Sequence, residues 1–454
     1  MKKKLPYAAF SALILLLCLI PSLGMPAGPR GDPAGGNQAL SAAPALRKAD
    51  GTWNTAWLSQ VQDYAADNFF LRQEMITLWS ALNARGLHSS ITGDVVLGED
   101  GWLYFGDTLP DYAGLDPMTD REIFSAARNL SLMAEYCESL GAEFLFTVAP
   151  NKNALYPEHM PGVTHSPGRS DAERLAEALA GLGVNYLDCF ALFREQEETL
   201  YFRTDSHWNG RGAALAADGI NGALGRESRY FQGPFSPEER HRGDLYAMLY
   251  PAGDGLETDW VYGGTLNVEY EAPIRSAENL TIMTRGGGEG SLLMFRDSFG
   301  NNLYPYLADS FAGALFSRSM PYRLDLVSQR EADFVAAELV ERNLRYLIQN
   351  VPLMPAPSRG SAPPEDLYTW YGEVTLHSEP SEDLPGYSLI TGPQIPEDVI
   401  LPAINPESQM LVPASDGNYY EAFLLEGNGI GLYLPENVQP LGLAYSPEWG
   451  TPMP

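Results

Sequence analysis

Helix-like and strand-like patterns take turns along the middle of this chain, and that alternation narrows the folds open to it. Thr119 and Glu122 have the spacing of a capping box, after which Ile123, Ala127, Leu130, Ala134 and Cys137 recur on one helical face until Gly141. The apolar run Phe144–Ala149 follows and reads as a buried strand. Ser170 and Glu173 open a second helix, with Leu175, Leu179 and Leu182 facing inward and Gly183 at its end; Val184–Phe190 reads as the next strand. Ser291–Phe295 is a further apolar run. Ser328 and Glu331 have the spacing to cap a helix carrying Phe334, Val335 and Leu339, followed by a strand over Tyr346–Val351. Helices alternating with apolar strands predict an α/β fold, a doubly wound and mostly parallel sheet.

The two ends of the chain read differently. Lys2–Lys4 precede an apolar stretch from Leu5 to Gly24, so residues 1–24 have the pattern of a signal peptide or of an uncleaved membrane anchor. Cys18 lies inside that stretch with no lipobox after it. Residues 25–50 are rich in Pro, Gly and Ala and read as a flexible linker. A helical segment is expected from Thr52, with Trp57, Val61, Tyr64, Phe69 and Leu71 among polar residues. Residues 51–356 would then form the main domain. Over 357–454 prolines are frequent, and the runs Tyr419–Leu425 and Ile430–Leu434 flank the turn signal Gly427-Asn-Gly429. A small β-rich C-terminal region is predicted there.

Composition excludes some partners. A hydrophobic content of 45% suits a packed core. A formal net charge of −29 argues against binding nucleic acid or an anionic membrane surface, both of which select basic patches. Cys137 sits on an apolar helix face and Cys189 in an apolar run, so both are expected as buried free thiols. No Cys-x-x-Cys occurs.

Chemistry concentrates in two segments, Arg203–Trp208 and Phe295–Gly300. Serine is a poor nucleophile unless a base stands within hydrogen-bond reach, itself oriented by a third group. Asp205 and His207 are two residues apart and in extended chain would point to one side, with Ser206 opposite. Asp205 could hold one imidazole nitrogen while the other faces Ser298, where the apolar run breaks into Gly300-Asn-Asn. Asp205, His207 and Ser298 are therefore candidate catalytic residues. Backbone N–H groups after Ser298, with Asn301, Tyr304 and Lys152, are candidates for oxyanion or substrate binding. A rival reading makes Asp205 and His207 metal ligands, but no other histidine stands at ligand spacing and His-Glu-x-x-His is absent. No metal and no cofactor are assigned.

At these residues the chain resembles the SGNH hydrolase superfamily, in the branch of the alginate O-acetylation proteins (AlgJ and AlgX) and the related DHHW proteins. In that branch an Asp-x-His-Trp segment precedes the serine motif, the reverse of the usual SGNH order, and Asp205 and His207 likewise precede Ser298. Further matches are Gly98–Gly106, Ala149–Pro157, Gly243-Asp-Leu245 and Glu341-Arg-Asn-Leu344, which together span residues 60 to 350. Ser206 stands where the DHHW name expects His. The resemblance implies an SGNH-like fold with permuted motif order. It also implies an exported O-acetyltransferase acting on a cell-surface or secreted polysaccharide, supplied with acetyl groups by a membrane-bound O-acyltransferase. A carbohydrate-binding role for residues 357–454 would follow, the alternative being an appendage that covers a sheet edge. The same triad would serve a carbohydrate O-acetyl esterase, and a catalytically inactive carbohydrate-binding protein on the same scaffold is the non-enzymatic alternative.

Overall fold

The computed structural model describes residues 41–160, 162–361, 368–370, 375–394 and 407–446, with helical positions at 7, 10–12, 14, 15 and 19. Apart from those positions, the expected signal or anchor at 1–24 and the linker up to residue 40 lie outside the described residues. Among the described residues no helix is long and apolar enough to cross a membrane. Residues 41–50, read as linker, are tied down: Ser41 donates from its amide and its hydroxyl to Asp67 Oδ2, at 3.0 and 2.6 Å. Asp67 belongs to the helix Trp57–Asn68, which Leu71 in a left-handed conformation joins to a second helix, Arg72–Leu87.

The core is a seven-stranded sheet between two layers of helix. Its elements are α1 (Asp120–Ser139), β1 (Glu143–Ala149), α2 (Asp171–Leu182), β2 (Tyr186–Leu187) and α3 (Gly210–Ala223), then a ribbon of β3 (Phe235–His241) and β4 (Glu257–Tyr262). There follow β5 (Glu269–Tyr270), β6 (Thr281–Arg285), β7 (Ser291–Phe295), α4 (Gly300–Ser310), β8 (Gly313–Ser317) and β9 (Phe334–Val340). The sheet order is β2-β1-β9-β7-β8-β6-β5. Pairing is parallel from β2 to β8 and antiparallel for β6 and β5. Alternate residues serve opposite faces, as the period of a strand demands. Phe146, Val148, Leu293, Phe295, Val335 and Leu339 pack with α1 and α2, whereas Leu145, Leu292, Met294, Ala336 and Val340 pack with α3 and α4. The chain is thus a doubly wound α/β fold.

Two of the three expected capping pairs are present; Ser328 and Glu331 open no helix, since Ser328 lies inside the helix Asp325–Gln329 and Glu331 follows it at φ 48°. Thr119 and Glu122 close the first turn of α1, Ser170 and Glu173 that of α2, and Gly183 ends α2 at φ 70°. Cys137 and Cys189 are buried free thiols. Three expectations are corrected. Residues 334–340 form no helix but β9, inside the sheet between β1 and β7. A strand buried on both faces is apolar on both, so its period is masked; only Glu338, itself 1% exposed, interrupts this run. Tyr346–Val351 is no strand, because a 3-10 helix spans Glu341–Ile348. The run Val184–Phe190 holds only the short β2, because Asp188 Oδ1 accepts the Ala191 amide at 2.9 Å and starts a helix at Cys189.

Beyond β9, the described C-terminal strands make two four-stranded antiparallel sheets. Tyr419–Glu421 falls in one and Phe423–Leu424 in the other, so the expected continuous strand is divided between them. This region lies on α1. Asn129 exchanges hydrogen bonds with the Leu424 backbone at 2.9 Å, and Glu421, 1% exposed, receives Arg128 at 2.6 Å and Arg359 at 2.8 Å. Burial alone would raise the Glu421 carboxyl, but the two guanidinium groups hold it below the ordinary value. Glu421→Ala leaves two arginines facing each other and is expected to cost about 3 kcal/mol in urea unfolding at neutral pH. A lowered carboxyl contributes stability that is full above the unfolded value of about 4.3 and is lost as pH falls from there through the folded value. The gap between wild type and variant should therefore close in acid, and a gap independent of pH would contradict this account.

Candidate active site

Three adjacent parallel strands end side by side, which is where open α/β sheets hold their ligands. After β1 come Asn151 and Lys152, after β9 Glu341 and Arg342, and after β7 Ser298. The turn that carries Ser298 is shaped by Asp297, whose Oδ1 accepts the Phe299 amide and whose Oδ2 accepts the Val340 amide, both at 2.8 Å. Ser298 is half-buried, immediately before α4. Gly300, the first residue of α4, packs so close to Arg296 that a Cβ there would stand 2.6 Å from its side chain.

The imidazole arrives from the loop before α3. Trp208 locks loop and turn together, donating its indole N–H to the Phe299 carbonyl at 3.0 Å and meeting that ring edge-on at 4.9 Å. His207 Nε2 then stands 2.8 Å from Ser298 Oγ, and its Nδ1 stands 2.7 Å from Asp205 Oδ1. The geometry of the Asp-x-His step differs from the extended chain expected. Asp205 Oδ1 also accepts the His207 backbone N–H at 2.9 Å, so the two residues meet through a tight turn closed by the aspartate itself. For the same reason Ser206 is not turned away, and its Oγ lies 3.2 Å from His207 Nδ1.

A buried carboxylate must have its lone pairs filled. Asp205 Oδ2 accepts the Asp244 amide at 2.9 Å and His241 Nε2 at 2.8 Å. Asp244 in turn accepts the Ser206 amide at 2.8 Å and the Ser206 hydroxyl at 2.6 Å. Glu257 accepts the Arg203 and Thr204 amides at 2.8 and 3.0 Å, and the Thr204 hydroxyl. Gly243 is required here, because a Cβ on it would stand 2.1 Å from the Thr204 carbonyl oxygen.

Charge follows from these contacts. Burial works against the charged imidazole of His207, but the charge and hydrogen bond of Asp205, helped by Asp244, outweigh it and raise its pKa. Arg342, whose guanidinium lies 5.7 Å from the Phe299 ring centroid, opposes that rise. Asp205 is held well below the carboxylate range. Burial pushes it up, and the two imidazoles prevail.

The structure brings Asp205, His207 and Ser298 together, and directs the other three candidates elsewhere. Lys152 is buried, and Nζ donates to the carbonyls of Phe202, Arg203 and Asp205 at 3.1, 2.9 and 2.6 Å, so its hydrogens support the loop. Burial brings its pKa down to about 8. Asn301 Oδ1 accepts from Arg296 at 2.6 Å, and its amide nitrogen donates to Glu278. The Tyr304 hydroxyl pairs with that of Tyr270 at 2.9 Å. Sequence reasoning missed His241, Asp244 and Glu257 as supports, although the match at Gly243-Asp-Leu245 contained Asp244 and lay two residues after His241. Asp205, His207 and Asp244 offer ligand atoms within 4.8 Å of one another, as a cation site would. The hydrogen bonds above already occupy those atoms. By NMR, His207 should titrate with a midpoint above the ordinary value of about 6.5, and Asp205→Asn should bring it down. A wild-type midpoint at or below that value would contradict the geometry.

With the site in view, comparisons with known proteins add the following. The family described as SGNH hydrolase-like domain, acetyltransferase AlgX, matches residues 95–266, a span that includes Asp205, His207, His241 and Asp244 and ends before Ser298. The probable alginate O-acetylase AlgJ of Pseudomonas syringae pv. tomato is 26% identical over 181 residues, covering 38% of this chain and 44% of the relative. The corresponding protein of Pseudomonas aeruginosa is 29% identical over 188 residues, covering 38% and 45%. The match spans less than half the length of these curated relatives. Among solved structures, PatB1 of Bacillus cereus aligns with a TM-score of 0.42 at 17% identity, over 56% of this chain and 97% of that one. Over residues 95–266, the chain is similar to the SGNH hydrolase-like domain of acetyltransferase AlgX.

Proposed function

We propose that the chain is an exported Ser-His-Asp acyl-transfer enzyme, an O-acetyltransferase that acylates hydroxyl groups of a cell-surface or secreted polysaccharide. The observation that carries the reading is the continuous line from Ser298 Oγ through the two nitrogens of His207 to Asp205, with steps of 2.8 and 2.7 Å. Both lie within the reach a base needs. In the first half-reaction His207 Nε2 takes the Ser298 proton as Oγ attacks the acetyl carbonyl. The proton then passes to the departing oxygen of the donor, leaving acetyl-Ser298. In the second, a sugar hydroxyl gives its proton to Nε2 and attacks the acetyl carbon, and Ser298 recovers the proton. Negative charge on the carbonyl oxygen in each step would be met by amides at the start of α4, where a helix leaves donors unpaired, other than those of Phe299, taken by Asp297 Oδ1 at 2.8 Å, and Asn301, taken by the Ser298 carbonyl at 3.1 Å.

Asp205 contributes orientation and charge. Its bond to Nδ1 fixes the tautomer that leaves Nε2 free to accept, and its negative charge stabilises the imidazolium of each intermediate. The relatives' names favour acetyl transfer to a polysaccharide over hydrolysis. Supply of acetyl groups by a membrane-bound O-acyltransferase fits the apolar N-terminal stretch. Water in place of the sugar would make the same site an esterase, so the acceptor must be tested separately.

Ser298→Ala and His207→Ala are each expected to lower release of acetate from an aryl acetate on the order of 10⁴-fold or more, because residues of one catalytic unit are not additive. Circular dichroism should show both variants folded. Given an acetyl donor and a panel of surface glycans, wild type should yield acetylated sugar by mass spectrometry. Free acetate alone across the panel would reject transfer in favour of hydrolysis, and wild-type turnover by Ser298→Ala would reject the triad.

A further inference from the structure

Asp205 has two imidazole partners, one on each oxygen, whereas a serine triad needs only one. His207 Nδ1 holds Oδ1 at 2.7 Å and His241 Nε2 holds Oδ2 at 2.8 Å. His241 is the last residue of β3, where the ribbon's register slips between Glu239 and His241. Its ring stacks on Phe202 at 3.7 Å and 8°. A face contact and a hydrogen bond thus fix the ring, which is 27% exposed and in touch with solvent.

We propose that His241 is a positioning residue of the acyl-transfer site, which locks the second oxygen of Asp205 and, through its own charge, sets how tightly His207 holds a proton. The inference rests on the triad reading above and extends it to regulation of the base. A carboxylate held at one oxygen can rotate about Cβ–Cγ, and the imidazole bound to it follows. The His241 N–H and the Asp244 amide, both on Oδ2, oppose that rotation.

The two imidazoles also compete for the charge of Asp205. Neutral His241 gives Asp205 one hydrogen bond and leaves the full carboxylate charge to His207. When His241 takes a second proton on Nδ1, two cations share one carboxylate, and His207 releases its proton more readily. The charged groups facing His241 are Asp205 from the loop, and Glu257 and Asp259 from β4. Those facing His207 are Asp205, Asp244 and Arg342, while Lys152 lies beneath the loop facing Asp205, Asp244 and Glu257. Burial disfavours protonated His241, but the three carboxylates around it outweigh that and raise its pKa. Both imidazoles bond the one carboxylate of Asp205, so the charge on either changes the proton affinity of the other and the two titrations are coupled.

The test is aryl acetate turnover by the full chain as a function of pH. His241→Ala is expected to lower kcat about tenfold with KM unchanged, less than the ~10²–10⁴-fold cost of losing a general base. The acidic limb of kcat/KM should move to higher pH, because the competing cation is gone and His207 binds its proton more tightly. His241→Gln restores an N–H donor but no charge. Its kcat should return to within about threefold of wild type while the limb stays displaced. Lost turnover with the limb unmoved in both variants would reduce His241 to packing, and unchanged rate and limb would remove it from the site; either result overturns the proposal. If wild type neither turns over nor is acylated at Ser298, the acyl-transfer reading fails on its own. The NMR midpoint of His207, expected to rise in His241→Ala, then still decides the coupling.

Discussion

One buried carboxylate organises this molecule. Asp205 is 5% exposed, and removing such a charge from water is costly unless every lone pair finds a donor. Its donors are the amide and Nδ1 of His207, the amide of Asp244 and Nε2 of His241. They come from the loop before α3, the end of β3 and the turn after it. Ionised Asp205 thus ties an imidazole to the sheet edge and draws a proton toward it. The same electrostatics that make the loop stable make His207 basic.

The sheet supplies the rest of the geometry. Parallel strands β1, β9 and β7 end at one edge, and each hands over a different part. The helix after β1 places the Lys152 ammonium under the carbonyls of the loop, the turn after β7 places Ser298, and the amide of Val340 at the end of β9 holds the Asp297 side chain that shapes that turn. Trp208 joins the two halves through the Phe299 carbonyl. The C-terminal sheets, tied to α1 by Glu421 and its two arginines, stabilise a helix behind the site.

How much of this could be read from sequence depended on how local the cause was. Capping boxes are complete within four residues, and α1 and α2 were legible from Thr119, Glu122, Ser170 and Glu173. The serine and Asp-x-His segments were visible as chemistry, because few other patterns place those groups together. β9 was misread, since Phe334–Val340 is buried on both faces and shows no alternation of polar and apolar residues. His241 and Asp244 were invisible as partners. They lie 36 and 39 residues from Asp205, and only the β3–β4 ribbon brings them back. Lys152 was noticed for its charge, yet its place beneath the loop depends on three carbonyls that no pattern announces.

In the proposed reaction His207, held by Asp205, makes Ser298 a nucleophile. Peptide mapping of the purified chain after a brief exposure to an activated acetyl donor tests it most directly. One acetyl group on the peptide carrying Ser298, absent from the His207→Ala protein, is the expected result. Acetylation at any other residue, or turnover without a covalent intermediate, would contradict the account.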